Sequence, residues 1–164
     1  MTYFAVIDTN VLVSAIMAFN KNNEDSSPYI ILANVLANKI VPLFSKEIIE
    51  EYKEVLSRTK FGFNKELVDN LIDAVINHGI DTQKAEIDEI IPDPNDVVFY
   101  QVTLEGQKSQ ETYLVTGNLK HFPEKTFIVS PKQMIDIMLK DEADELFKTI
   151  NNDIDKSENH NRNY

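Results

Sequence analysis

A short apolar run near the N-terminus ends at one acidic residue, and this feature constrains the fold more than any other. Residues 3–7 are β-branched, aromatic or small apolar types, which predicts a buried strand. Asp8 follows directly, and Thr9 to Ala18 has the pattern of a helix. In open α/β sheets, ligands bind at the carboxyl ends of the strands. The sequence therefore predicts a charged side chain at the ligand-binding end of a sheet.

Predicted strands and helices alternate along the first 140 residues. Further strands are predicted at 40–44, 112–116 and 126–129, whereas 80–91 is ambiguous and has the character of a sheet edge. This alternation predicts an α/β fold with a parallel sheet covered by helices on both faces. Helices are predicted at 28–38, 45–57, 64–77, 93–105 and 131–139, and a mobile loop at 20–27.

We expect one domain at residues 1–140, followed by an acidic tail at residues 141–164. The tail has weak amphipathic periodicity up to Ile150 and is polar after Asn151, which predicts a segment that is partly helical and then disordered. Its seven acidic and three basic side chains make up part of the chain's net charge of −11. That charge counts against nucleic-acid binding, which usually requires a basic patch. A site built from carboxylates would also raise the acidic count, because bound cations would offset its charge.

The composition excludes several classes of protein. Cysteine is absent, so disulfides, thiolate metal sites and thiol nucleophiles are excluded. No apolar run approaches the ~20 residues that a membrane span needs, and the N-terminus lacks the features of a signal peptide. We therefore expect a cytoplasmic location without membrane contact.

Three acids far apart in the sequence have comparable settings. Asp8 could be the N-cap of the helix that follows it, or a ligand at the end of the sheet, and the two roles are compatible. Glu51 lies in a helix with three other glutamates, about 90° from the centre of its apolar stripe, whereas the other three lie further round. Glu51 is therefore the glutamate at the edge of the buried surface.

The third acid, Asp96, belongs to a helix start that needs no metal to explain it. Asp93 has the properties of an N-cap, Pro94 occupies the first helical position, and Asp96 lies in the first turn, where the helix dipole favours negative charge. If Asp8, Glu51 and Asp96 converge, however, they form a carboxylate cage for a divalent metal. Such a cage would indicate a metal-dependent nuclease.

The strand predicted at 112–116 is followed by polar residues that have two interpretations. Thr116 and Asn118 could be simple turn chemistry, or they could position water or phosphate by hydrogen bonds. His121 has no second histidine or cysteine nearby, which argues against zinc, and we interpret it as structural or incidental. Phosphate-binding loops, dinucleotide-binding fingerprints and nucleophile elbows are absent from the sequence.

Four segments together resemble the PIN-domain family, in particular the branch described as toxin components of toxin–antitoxin systems. They are residues 6–15, 45–56, 93–96 and 114–118, and the ordered match spans about Tyr3 to Met138. The resemblance implies a PIN-like three-layer fold with a parallel five-stranded sheet flanked by helices. It also implies an endoribonuclease that depends on Mg²⁺ or Mn²⁺, an RNA substrate, an antitoxin partner and a homodimer.

The resemblance also implies roles for individual residues. Asp8, Glu51 and Asp96 match the family's catalytic and metal-binding acids, with Asp93 as an accessory metal ligand. Asp8 and Asp96 would contact the metal most directly, and Glu51 would act through water. The family often places another aspartate at the positions that here hold Asn118 and His121, so Asn118 is a candidate catalytic residue in place of an acid.

Other functions remain open at this stage. A catalytically weak or inactive PIN-like module that binds RNA or protein is the main alternative, and a DNA nuclease would share the same site. Five basic residues are candidate phosphate contacts, although each could equally be an ordinary surface charge: Lys46, Lys53, Arg58, Lys60 and Lys120.

Overall fold

The first strand, β1 (Tyr3–Ile7), lies at the centre of the sheet and is covered on both faces. The computed structural model describes residues 1–161. Ala5, Val6 and Ile7 are all buried. Because successive strand side chains point to opposite faces, burial of all three requires a layer of helices on each face. The predicted α/β fold is confirmed.

Five parallel strands form the sheet in the order β3-β2-β1-β4-β5. The order places β3 at one edge, in agreement with the edge character of the segment after Gly79. The other strands are β2 (Ile40–Phe44), β3 (Ile80–Asp81), β4 (Thr112–Val115) and β5 (Ile128–Val129). The helices are α1 (Thr9–Asn20), α2 (Ser27–Leu36), α3 (Lys46–Leu56), α4 (Lys65–His78), α5 (Pro94–Gln107) and α6 (Pro131–Asn161), with a short 3₁₀ helix at Leu119–His121.

The register of the central strands brings two polar residues to the same end of the sheet. Ile7 pairs with Val115, so the last residues of β1 and β4 lie side by side. Asp8 donates its backbone N–H to the Val115 carbonyl at 2.9 Å. Since the strands are parallel, Asp8 and Thr116 both follow their strands at the carboxyl edge of the sheet.

Two helices begin where the sequence predicts a cap. The Ser45 hydroxyl accepts the Ile48 N–H at 3.3 Å, and the Asn64 side chain accepts the Leu67 N–H at 3.1 Å. Gly79 ends α4 as predicted, in an extended conformation. A Cβ at that position would lie 2.5 Å from the Pro42 carbonyl oxygen, so glycine allows close packing of the chain there.

The last helix, α6, is much longer than the sequence pattern predicts. It runs unbroken to Asn161, through a segment whose polar composition predicts disorder, while residues 162–164 lie outside the described part of the chain. The part of α6 that packs on the rest of the domain, called the body below, ends near Asp141. The Asp141 carboxylate accepts a 3.0 Å hydrogen bond from the Tyr3 hydroxyl. Within residues 1–161 none of the helices has both the length and the hydropathy needed to cross a membrane.

Candidate active site

Asp8 is a buried carboxylate held by the strand end beside it. Its residue is 5% exposed, and its side chain makes no capping hydrogen bond to α1, although it occupies the N-cap position. The Thr116 hydroxyl donates to Asp8 Oδ2 at 2.7 Å, and Asn10 Nδ2 donates to the same oxygen at 3.2 Å. These contacts fix the carboxylate at the sheet edge, so the capping interpretation does not account for it.

The donors that hold Asp8 are themselves fixed by backbone groups. Asn10 Oδ1 accepts the Gly117 N–H at 3.0 Å, and Thr116 Oγ1 accepts the Asn118 N–H at 3.0 Å. Asn118 therefore takes part in the network through its backbone, and a catalytic role for its side chain stays a prediction. The hydrogen bond from the Asn118 N–H to Thr116 Oγ1 holds the Thr116 hydroxyl in the short turn that follows β4.

Burial raises the pKa of the Asp8 carboxyl to about 6. The negative charge of Asp96 adds to this shift, whereas the hydrogen bond from Thr116 opposes it. Asp8 is therefore an acid kept in a setting that disfavours its own ionisation. A nearby cation would reverse that preference.

Asp96 lies in the first turn of α5, and its side chain is only 13% exposed. Burial raises the pKa of Asp96, the charge of Asp93 adds to the shift, and the side chain of His121 opposes it. His121 Nδ1 lies 3.1 Å from Asp96 Oδ2. The interpretation of His121 as incidental missed this contact, because no spacing rule links residues 25 positions apart. The only available signal was its place just after the β4 turn.

Asp93 acts as the helix-start chemistry predicts. Its carboxylate accepts the Asn95 N–H at 2.9 Å, so one of its oxygens caps α5. Asp93 is exposed, and its charge contributes to the raised pKa of both Asp96 and Glu51. Its accessory role at a metal remains a prediction.

Glu51 is partly buried, whereas Glu47, Glu50 and Glu54 are exposed. The prediction that Glu51 lies at the edge of the buried surface is confirmed. Burial raises its pKa, and the charges of Glu54, Asp93 and Asp96 add to the shift, while Arg58 opposes it.

The residue after Glu51 joins α3 to the site in a way that the sequence pattern concealed. Tyr52 is fully buried, and its hydroxyl donates to the carbonyl oxygen of Ile7 at the end of β1. The apolar periodicity of α3 predicts that Tyr52 is buried, but it does not predict the partner of its hydroxyl. Its hydroxyl ties α3, and with it Glu51, to the strand that ends at Asp8.

The acids are close enough to affect one another's ionisation. The charge of Asp96 adds to the raised pKa of both Asp8 and Glu51. Within the described residues, no three His, Cys, Asp or Glu side chains converge closely enough to hold one metal ion. Mg²⁺ keeps several waters and typically binds through one or two carboxylates plus substrate phosphates, so a pair of acids is a sufficient donor set. Carboxylate oxygens are the ligand type that hard divalent ions such as Mg²⁺ take, but within residues 1–161 the acids do not form the three-carboxylate cage that the sequence predicts.

One polar atom beside this cluster lacks a partner. Thr9 Oγ1 is buried and has no hydrogen bond within residues 1–161. It belongs to the residue directly after Asp8. Buried polar groups are nearly always hydrogen-bonded, so an orphan is a feature expected where a ligand or water completes a site.

The candidate phosphate contacts differ in their surroundings. Lys46 lies 3.8 Å from Glu50, Arg58 forms a 2.7 Å ion pair with Glu54, and Lys60 lies over the Phe61 ring. Lys120 lines an open cleft of about 730 Å³ that begins next to His121. Of these four basic side chains, Lys120 is the one that lines this cleft, which none of the four candidate acids lines.

The comparisons with known proteins agree with this geometry. A family model described as PIN domain matches residues 5–120, more than two thirds of the chain. PIN domains are typically nucleases that generally use divalent metal ions. No curated protein and no solved structure gives a significant match. The matched residues extend from β1 past β4 and include each of the acids described above, and the chain belongs to the PIN-domain family.

Proposed function

We propose that this protein is a metal-dependent endoribonuclease whose acidic site is formed by Asp8, Asp96 and Glu51. The observation that carries the proposal is the buried Asp8 carboxylate, which has a raised pKa and an acidic neighbour. Burying an acid in this way costs stability, and such groups are concentrated at functional sites. The PIN-domain family supplies the reaction class.

Asp8 and Asp96 would hold a Mg²⁺ or Mn²⁺ ion, with Glu51 and Asp93 as outer ligands. Both side-chain hydrogen bonds to Asp8 go to Oδ2, so within the described chain no side chain donates to Oδ1. When bound, the ion supplies positive charge that polarises a phosphate and lowers the pKa of its water.

The other residues would orient these acids and the substrate. Thr116 and Asn10 fix the angle of the Asp8 carboxylate, and His121 holds Asp96. A partly buried Glu51 with a raised pKa is suited to orient a water or take its proton. The backbone turn at Asn118, beside Thr116, would approach the phosphate, and Lys120 would bind the RNA backbone in the adjacent cleft.

The test is cleavage of single-stranded RNA in Mn²⁺ by the wild-type protein, by Asp8→Asn and by Asp73→Asn. Asp73 is an exposed aspartate on α4 and serves as the matched control. Asp8→Asn should lose at least about 100-fold in rate, because it removes a ligand charge while keeping the shape of the side chain. Equal cleavage by wild type and Asp8→Asn would refute the proposal. Competition with single-stranded DNA of the same sequence distinguishes a ribonuclease from a DNA nuclease.

A second candidate is a PIN-like module that binds RNA or protein without cutting. The observation in its favour is that Asn118 and His121 stand where a fourth acid would complete the cluster, in a chain of net charge −11. Calorimetry with Mn²⁺ separates the two proposals. A metal-dependent enzyme should bind the ion with a heat that Asp8→Asn abolishes, whereas no detectable binding supports the second candidate.

The toxin role, the antitoxin partner and the homodimer also remain proposals that only the sequence resemblance supports, and the cytoplasmic location remains a proposal that rests on composition. Induced expression of the wild-type chain in bacteria should arrest growth, and Asp8→Asn should not. Arrest by both variants would argue against toxicity through this site.

A further inference from the structure

The second half of α6 carries a row of large apolar side chains that are about half exposed or more. Helical geometry puts the row on one side of the helix over about 22 Å, because its members recur at spacings of three, four and seven residues. Their exposed fractions range from 49% to 68%: Leu139 58%, Leu146 61%, Phe147 68%, Ile150 54% and Ile154 49%. These five side chains are called the α6 stripe below.

Most of the α6 stripe lies beyond the part of α6 that packs on the body. Met134 is buried, and Ile135 and Met138 are partly buried against the core. The contact with the body ends near Asp141, and every residue from 142 to 158 is exposed. On a helical wheel, Met134 and Met138 lie more than about 90° from the centre of the stripe, whereas Ile135 lies on the same side as the stripe. Past Asp141 the stripe is therefore an exposed surface on a projecting helix.

Acidic side chains border the stripe along both edges. The wheel places Glu142 and Asp153 on one edge and, together with Lys140, Asp144 and Asp155 on the other. Lys148 and Lys156 lie towards the opposite face. Within the described chain, none of the four bordering acids forms a salt bridge, so their charges are available to a partner.

We propose that the α6 stripe is a docking surface for a basic amphipathic helix of a partner protein. An apolar row between two acidic edges is complementary to a helix with an apolar row between lysines or arginines. A second copy of α6 would match the apolar row but would bring acid against acid along both edges. An anionic membrane surface would be repelled by the same acids. The proposal does not depend on the nuclease activity.

The test uses the full-length protein and two fluorescein-labelled synthetic peptides. Both form an amphipathic helix with the same leucine face, and the flanking positions are lysine in one peptide and glutamate in the other. Fluorescence anisotropy at low salt should show that the lysine peptide binds at least about tenfold more tightly than the glutamate peptide. Equal affinities would overturn the proposal, because they would indicate non-specific hydrophobic binding.

Variants then locate the binding on the helix. Leu146→Gln with Phe147→Gln should weaken the lysine peptide by at least about tenfold, whereas Asn152→Gln, on the opposite side of α6, should leave its affinity unchanged. Asp144→Asn with Asp155→Asn should weaken the lysine peptide and not the glutamate peptide. Circular dichroism of each variant checks that the helix is kept. An unchanged affinity in the Leu146 and Phe147 variant overturns the proposal.

Sedimentation equilibrium tests the second copy as the occupant. We expect that the Leu146 and Phe147 variant has the same oligomeric state as the wild type. A wild-type dimer that this variant converts to monomer would overturn the proposal in favour of self-association.

Discussion

The carboxyl edge of the sheet and the projecting half of α6 depart from the usual distribution of side chains in opposite ways. At the sheet edge a carboxylate, Asp8, is 5% exposed among apolar strands. On α6 large apolar residues are exposed, with Phe147 at 68%, between rows of acids. Each arrangement costs free energy in the isolated chain: the first through desolvation of charge and the second through exposed apolar surface.

The buried carboxylate and the exposed apolar stripe differ in what holds them in place. Asp8 is kept in place by hydrogen bonds from Thr116 and Asn10 and by a fixed strand register. The α6 stripe has no such support, and only the helix itself fixes its geometry. Departures from local rules are expected at functional positions. On the two proposals made above, the first would receive a small cation in a rigid frame, and the second a large partner on an adaptable surface.

The largest expected effect is on the stability of the metal-free protein when Asp8 is neutralised. The carboxyl pKa is about 6 in the folded state against 3.8 unfolded, so stability falls as pH rises between these values. Above pH 6 the buried charge of Asp8 lowers the free energy of unfolding by about 3 kcal/mol. At pH 8 Asp8→Asn should raise it again by about 2 to 3 kcal/mol. Urea unfolding in EDTA measures this gain.

The pH dependence of that gain shows whether it comes from removing the charge of Asp8 or from the changed shape of the side chain. At pH 4 Asp8 is protonated in the folded state and about half protonated in the unfolded state, so the gain from Asp8→Asn should fall to well under about 1 kcal/mol there. The exposed control Asp73→Asn should change little at either pH. A gain of equal size at pH 4 and pH 8 would show that burial of charge is not the cause.

Metal binding should have the next largest effect, and only at the sheet edge. Mn²⁺ at 100 times its dissociation constant should stabilise the wild type by about 2.7 kcal/mol, and EDTA should reverse the gain. Asp8→Asn should show little of this gain, whereas Phe147→Gln should keep all of it. Thermal unfolding with and without Mn²⁺ measures both, and a gain that survives Asp8→Asn would mean that the ion binds elsewhere.

Removing the hydroxyl that holds Asp8 should have a somewhat smaller effect. Thr116→Val keeps the shape of the side chain but leaves Asp8 Oδ2 and the Asn118 N–H without this partner. We expect a loss of about 2 kcal/mol at pH 8 and a smaller loss at pH 4, because hydrogen bonds to an ionised acceptor are stronger. Thr149→Val, exposed on α6, is the control. Equal losses at the two pH values would argue against a role for the Asp8 charge.

The smallest effect is expected on the α6 stripe. Phe147→Gln should change the free energy of unfolding by less than about 0.5 kcal/mol, since the side chain contacts little in the folded chain. Met134→Ala, in the buried part of the same helix, should cost about 2 kcal/mol or more. Urea unfolding of both variants compares the two halves of α6. A large loss from Phe147→Gln would mean that the stripe packs on the body.

Much of the fold could be predicted because its signals are local. The strand 40–44 and the caps at Ser45 and Asn64 follow from apolar runs and from side chains that bond within three residues. The strand β5 is two residues, not the predicted four, because its pairing with β4 sets its length. The extent of α6 was missed because composition alone does not reveal how far a helix continues past its last contact with the body.

The settings of Glu51 and Asp8 could be predicted from local patterns, whereas the contacts that join the site's residues could not. Glu51 was separated from its neighbours by helical geometry alone, and Asp8 by its place after a strand. The contacts of His121 with Asp96 and of Tyr52 with Ile7 join residues 25 and 45 positions apart. Such contacts depend on strand order and helix packing, which no local pattern encodes.

The hydrogen bond from Tyr3 to Asp141 sets the direction in which α6 leaves the body. Tyr3 begins the central strand, and the acids cluster beyond the other end of that strand, about 17 Å away. A protein bound to the projecting helix would therefore lie at the opposite end of the sheet from the acids and would not cover them. If both proposals hold, such a partner would position this chain at a target without blocking the proposed nuclease site.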